Sequence, residues 1–110
     1  MNVYDTANRL AYEIQESDEY KSYKKLKNEI MSNPDSKNKI EEFEKLRYDV
    51  QLMQYTGEEK NEEKTKKLQD MYTMLIQDNQ IKEYLDLEVK FNVMIADVNK
   101  IIAEAIRDVL

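Results

Sequence analysis

Glycine and proline occur once each in this chain of 110 residues, at Gly57 and Pro34. A sheet protein of this length needs turn residues about every 8–12 positions to reverse its strands, and they are missing here. Ala, Leu, Glu, Lys, Gln and Met fill most positions, and these side chains lose least entropy on entering a helix. The sequence therefore predicts an all-α fold, an antiparallel bundle of about five helices forming a single domain over residues 1–110.

Apolar spacing places the helices. Val3, Ala7, Leu10 and Ile14 recur at four, three and four, which is one stripe of a helix reaching about Glu16. Continuing that period would bury Ser17, Lys21 and Lys24, so the helix cannot run straight on. Tyr20, Tyr23, Leu26 and Ile30 start a new stripe out of phase with the first. Ser17, followed by Asp18 and Glu19, suits the N-cap of this second helix. Pro34 disfavours helix at the residue before it, which ends the second helix near Asn33. A third helix is expected from Ser36 to just before Gly57, whose freedom at positive φ suits a helix C-terminus. It carries a main stripe (Ile40, Phe43, Leu46, Val50, Met53) and a second one (Tyr48, Leu52, Tyr55). Two stripes imply two neighbours and a central helix. Residues 58–67, EEKNEEKTKK, hold no apolar side chain and read as a solvated loop and helix start. Contact with the core resumes at Leu68, Met71, Tyr72, Leu75 and Ile76, and Asp78, Asn79 and Gln80 form a polar connection.

The last helix, from about Ile81 to the end, spans roughly 45 Å at 1.5 Å per residue. Its polar face is Lys82, Asp86, Lys90, Asp97, Lys100, Glu104 and Asp108. The apolar arc opposite covers on the order of 200°, about twice what a helix needs to pack on its own domain. The surplus points to self-association, with Phe91, Ile95, Val98, Ile102 and Ile106 as the contacts to a second copy. Asn92 and Asn99, seven apart at the edge of the arc, sit where register-fixing polar residues lie in paired helices, or simply at the solvent boundary.

The chemistry open to the chain is narrow. It has no Cys and no His. Disulfides, thiol nucleophiles, imidazole bases, nearly all structural zinc sites and di-iron sites of the ferritin type are therefore absent. Neighbouring acids such as Glu41 and Glu42 point about 100° apart on a helix and make no acid–base pair. The lone glycine builds no phosphate-cradling loop. No catalytic residue, metal ligand or cofactor site is expected, and the protein is not read as an enzyme. A net charge of −6 disfavours phosphate backbones and anionic lipid as main partners. The N-terminus has no signal peptide, and no stretch approaches 18 uninterrupted apolar residues, so a cytoplasmic protein without membrane insertion is expected. The exception to the acidity is Tyr20–Lys27, YKSYKKLK, where Lys21, Lys24 and Lys25 face away from the tyrosine stripe. They are either an ordinary solvated helix face or a surface for a partner protein.

Taken in order, YDTANRLAYEIQESDEYKSY, the Pro34–Asp35 break, KIEEFEKLRYDVQLMQYTG and a helix ending at DNQIKEYLDLE resemble the YlbF/YmcA family of small bacterial proteins. The resemblance covers essentially the whole chain. It implies an all-helical fold that self-associates, a Gram-positive cytoplasm, and regulatory roles in competence, biofilm formation and sporulation. Some members act in a complex that assists the endoribonuclease RNase Y, and in those members cysteines are associated with an iron–sulfur cluster. This chain resembles a cysteine-free branch, so no cluster ligand carries over. The function expected is that of an adaptor acting by protein–protein binding, with itself and RNase Y or its accessory proteins as partners. The competing expectation is a structural or chaperone-like helical assembly without a regulatory partner.

These readings predict a far-ultraviolet circular dichroism spectrum with about three quarters or more of the residues helical, against a usual third. A spectrum requiring a sheet of three or more strands would contradict the fold class.

Overall fold

Four short side chains set where four of the five helices begin. A computed structural model describes residues 2–56 and 62–110 and contains five helices: α1 (Val3–Glu16), α2 (Asp18–Met31), α3 (Pro34–Thr56), α4 (Glu62–Leu75) and α5 (Asn79–Ile106). Helix accounts for 89% of the described residues, and there is no strand among them.

The Asn2 side chain accepts a hydrogen bond from the Tyr4 amide at 2.8 Å and caps α1. Ser17 serves two helices. Its hydroxyl donates to the Ile14 carbonyl at 2.6 Å, closing α1, and accepts from the Tyr20 amide at 3.2 Å, opening α2. Its extended backbone turns the chain between them, which is why the two apolar stripes are out of phase. Asn33 caps α3, accepting from the Asp35 and Ser36 amides at 3.0 and 3.3 Å. Asp78 does the same for α5 through the Gln80 and Ile81 amides at 2.9 and 3.3 Å. Each cap satisfies amide groups that a helix start otherwise leaves unpaired.

Two boundaries differ from the sequence reading. Pro34 is the first residue of α3, where its fixed φ suits a helix and its missing N–H costs nothing, so Asn33 and not Ser36 opens the helix. Ser36 lies inside the first turn and is buried. Asn79 and Gln80 belong to α5 and do not form a connection, because Asp78 caps the helix directly before them. The C-terminal role expected of Gly57, and the first part of the charged run after it, lie outside the described residues.

The chain divides into two compact units, Asn28–Glu83 and a second formed by Met1–Lys27 with Tyr84–Leu110. In the 28–83 unit α3 packs along α4. Ile30 and Ile40 are completely buried, with Phe43, Val50, Leu75 and Ile81 also in the core. The Phe43 ring lies 6.2 Å from that of Tyr72, and the Arg47 guanidinium sits 5.4 Å from its centroid. The main stripe of α3 therefore faces inward. Its second stripe does not find the expected neighbour: Tyr48, Leu52 and Tyr55 are 63%, 44% and 89% exposed. They lie on the side of α3 away from Phe43, and α4 packs on the Phe43 side.

In the other unit the buried side chains are Leu26, Tyr84, Leu85 and Glu88. None of the described residues of α1 is buried, and neither is any from Val89 onward.

Truncating Ile40 to Ala should lower the free energy of unfolding by about 2–5 kcal/mol, a large share of the roughly 5–15 kcal/mol typical of a domain. Ser17→Ala should cost about 1 kcal/mol through the lost cap. Urea denaturation followed by circular dichroism checks both. An Ile40→Ala loss below about 1 kcal/mol would mean the 28–83 core is elsewhere.

Candidate protein-binding surface

The uncovered surface of α5 begins where its packing against α2 ends. Tyr23 lies 5.5 Å from Tyr84 and 5.7 Å from Phe91, centroid to centroid, and Tyr20 lies 6.0 Å from Phe91. Such tilted ring pairs add to the burial of their area, by roughly 0.5–1.5 kcal/mol each. Tyr84, Phe91, Ile95, Val98, Ile102 and Ile106 share one face of α5 by their spacing of seven, four, three, four and four. Along that face coverage falls away. Tyr84 is buried, Phe91, Ile95 and Val98 are half-buried, and Ile102 and Ile106 are 49% and 40% exposed. Phe91, expected at a second copy, is thus covered in part by the tyrosines of its own chain. Asn92 and Asn99 are exposed.

A groove runs along α5 from its polar side round to Val98, one of the residues expected to contact a second copy. Val89, Lys90, Val93, Met94, Asp97 and Ile101 line it along the helix, with Glu19 of α2 at its side, and its volume is about 440 Å³. Val89, Val93 and Ile101 are 61%, 53% and 68% exposed. Val89 is flanked by Glu88 and Lys90 and Val93 by Asn92 and Met94, and both stand apart from the apolar arc on the side of the helix that carries Lys90 and Asp97. Their i,i+4 spacing was the available signal.

The lysines of α2 are exposed, and three of them have partners close by in sequence. Lys21 Nζ is 2.9 Å from Glu16 Oε2, Lys24 Nζ lies 5.8 Å from the Tyr20 ring centroid, and Lys27 stands likewise over Tyr23. The hydrogen bond and the negative charge of Glu16 raise the Lys21 pKa above the ordinary lysine value. A pKa raised on folding stabilises the protonated state, so this bridge is fully present at neutral pH and is lost as pH rises through the raised value. Both partners are exposed, so the bridge orders the side chain more than it stabilises the fold. The charged segment 58–67 was also a candidate contact, but residues 58–61 lie outside the described set.

A smaller cleft of about 220 Å³ opens between α3, α4 and the start of α5, lined by Met71, Met74, Leu75 and Ile81 with Lys39, Glu42 and Asp78 around them. The Asp78 carboxylate is engaged at the α5 cap. Among the described residues no three acids cluster closely enough to hold a metal ion, and no helix is long and apolar enough to cross a membrane. An iron–sulfur cluster held by cysteines has no ligand anywhere in this sequence. What the described geometry offers is surface, apolar along α5 and basic along α2.

A UPF0342 protein of Halothermothrix orenii is 38% identical over 102 residues, covering 93% of this chain and 86% of that protein. A UPF0342 protein of Symbiobacterium thermophilum is 36% identical, over 94% of this chain and 93% of its own length. The solved structure of yheA from Bacillus subtilis superimposes with a TM-score of 0.67 over 100% of both chains at 24% identity, a likeness of fold. The sequence profile described as "Control of competence regulator ComK, YlbF/YmcA" matches residues 3–107, and the chain belongs to this regulatory family.

Proposed function

We propose that this protein is a non-enzymatic adaptor of the YlbF/YmcA type that self-associates through α5 and engages a regulatory partner protein. One observation carries the reading: from Val89 to its end α5 buries no side chain, yet it presents Val93, Ile101, Ile102 and Ile106 to solvent. Contiguous apolar surface of this kind is costly to hydrate and marks association sites. The family's description, control of a competence regulator, supports a protein as the target. RNase Y or its accessory proteins are the first candidates, on family resemblance, in a Gram-positive cytoplasm. A purely structural assembly would need no exposed surface beyond the self-contact, and the lysine face of α2 favours the adaptor.

Light scattering at micromolar concentration should give twice the 13.2 kDa chain mass. Ile102→Glu, alone or with Val98→Glu, should shift the protein to monomer, because association would bury unpaired charge. A wild-type monomer would refute self-association.

Reversing Lys21, Lys24 and Lys25 to Glu should change stability by about 0.5 kcal/mol or less, as exposed substitutions usually do. It should nevertheless reduce capture of the partner in a pull-down from the native host read by mass spectrometry. The purified protein should neither cleave RNA nor bind it tightly at physiological salt. Steeply salt-dependent RNA binding with no protein recovered would overturn the adaptor reading.

A further inference from the structure

The cleft between α3, α4 and the start of α5 has the form of a socket for one side chain. Leu75 and Ile81 are its most deeply buried lining, 6% and 2% exposed, while Met71 is half-buried and Met74 is 75% exposed. All of them belong to the 28–83 unit. Between Leu75 and Ile81 the chain is held by Asp78, whose carboxylate accepts from the Gln80 and Ile81 amides. A volume of about 220 Å³ falls short of the roughly 300–1,000 Å³ that encloses a drug-sized ligand. It is enough for one aliphatic side chain. A single exposed methionine needs no explanation. Here two stand at i,i+3 on α4 and line the same apolar hollow, and unbranched thioether side chains readily rearrange around an incoming group.

The charges of the cleft narrow what enters it. Lys39 and Glu42 of α3 and Asp78 stand around the apolar lining, two carboxylates to one ammonium. All three are exposed, and neither Lys39 nor Glu42 forms an ion pair with another described residue. An acidic mouth disfavours a ligand with its own carboxylate and favours a basic group beside the apolar one. We propose that this cleft receives an aliphatic side chain of about leucine size from a partner protein, with an adjoining lysine or arginine of that partner at Glu42. The proposal rests on the adaptor reading above and gives it a second contact surface, opposite in sign to the lysines of α2. Side chains that fill such sockets carry a disproportionate share of an interface's binding energy, and the charge beside them sets which partner fits.

Nuclear magnetic resonance of the full chain, with the methionines labelled at the Cε methyl, reads Met71 and Met74 directly. The probes are N-acetyl-leucyl-lysine amide, N-acetyl-leucyl-glutamate amide and N-acetyl-alanyl-lysine amide. The leucyl-lysine peptide should shift both methyl resonances saturably at about millimolar concentration, since one anchor is only part of an interface. The leucyl-glutamate peptide should bind about threefold or more weakly at low salt, and the alanyl-lysine peptide should not saturate. Glu42→Lys, at an exposed position, should leave the circular dichroism unchanged and remove the preference for lysine. Absence of a saturable shift, or equal binding of the two leucyl peptides, would overturn the proposal. Tighter binding of hexanoate than of the leucyl-lysine peptide would assign the cleft to a small anion. Methyl shifts that follow protein concentration without peptide would assign it to a second copy, and either result refutes the partner anchor. Failure of these responses with a partner still captured through the lysines of α2 would remove the cleft and leave the adaptor reading standing. A wild type that captures no partner would remove both.

Discussion

Tyr23 holds the 1–27/84–110 unit together. Its ring lies against both Tyr84 and Phe91, about two turns apart on α5, so a single side chain of α2 fixes the rotation of α5 about its axis. That rotation decides which residues of α5 are covered and which are left to solvent. Tyr84 goes under the tyrosines, the face running through Ile95, Val98, Ile102 and Ile106 continues beyond their reach, and the groove at Val89 and Val93 stays open. The surfaces available for association are a consequence of this contact. The lysines follow as well, because Tyr20 and Tyr23, turned inward on α2, place Lys24 and Lys27 respectively along their ring faces.

Much of the architecture was legible because helix signals are local. The phase slip at Ser17 marked the α1–α2 junction, and the hydroxyl that spans it could be anticipated from one serine followed by two acids. The stripe Ile40–Phe43–Val50 identified the core face of α3. The errors came where one residue type supports two local roles. Pro34 stops a helix when read from the left and starts one when read from the right, and only the Asn33 side chain, bonded to two amides, decides between them. Asp78 resolved the α5 start in the same manner.

The surface was less legible, for a physical reason. Periodicity shows that a side chain lies on an apolar stripe, but not whether anything covers the stripe. Tyr48, Leu52 and Tyr55 have the spacing of buried residues and are exposed. Phe91 has the spacing of an interface residue and is partly covered from within its own chain. Val89 and Val93 are the converse, since they lie on the side of α5 that carries Lys90 and Asp97 and yet line a groove. Covering depends on contacts distant in sequence, such as those from α2 to α5, and a local pattern contains no information about those.

The same distribution ties function to stability. α1 and the part of α5 beyond Glu88 bury no side chain, so these segments depend on intrinsic propensity and partial contacts for their order. Helices in proteins draw most of their stability from packing, and α1, at 14 residues, is of a length that is marginal alone in water. Whatever covers their apolar faces therefore contributes folding free energy to them as well as binding free energy. Order in this unit would then rise with the concentration of the occupant, whether a second copy or a partner. A chain without His or Cys has no proton or redox switch of the ordinary kind near neutral pH. Occupancy of its helix faces would be sufficient for the adaptor role proposed above, in which the signal is which protein it holds.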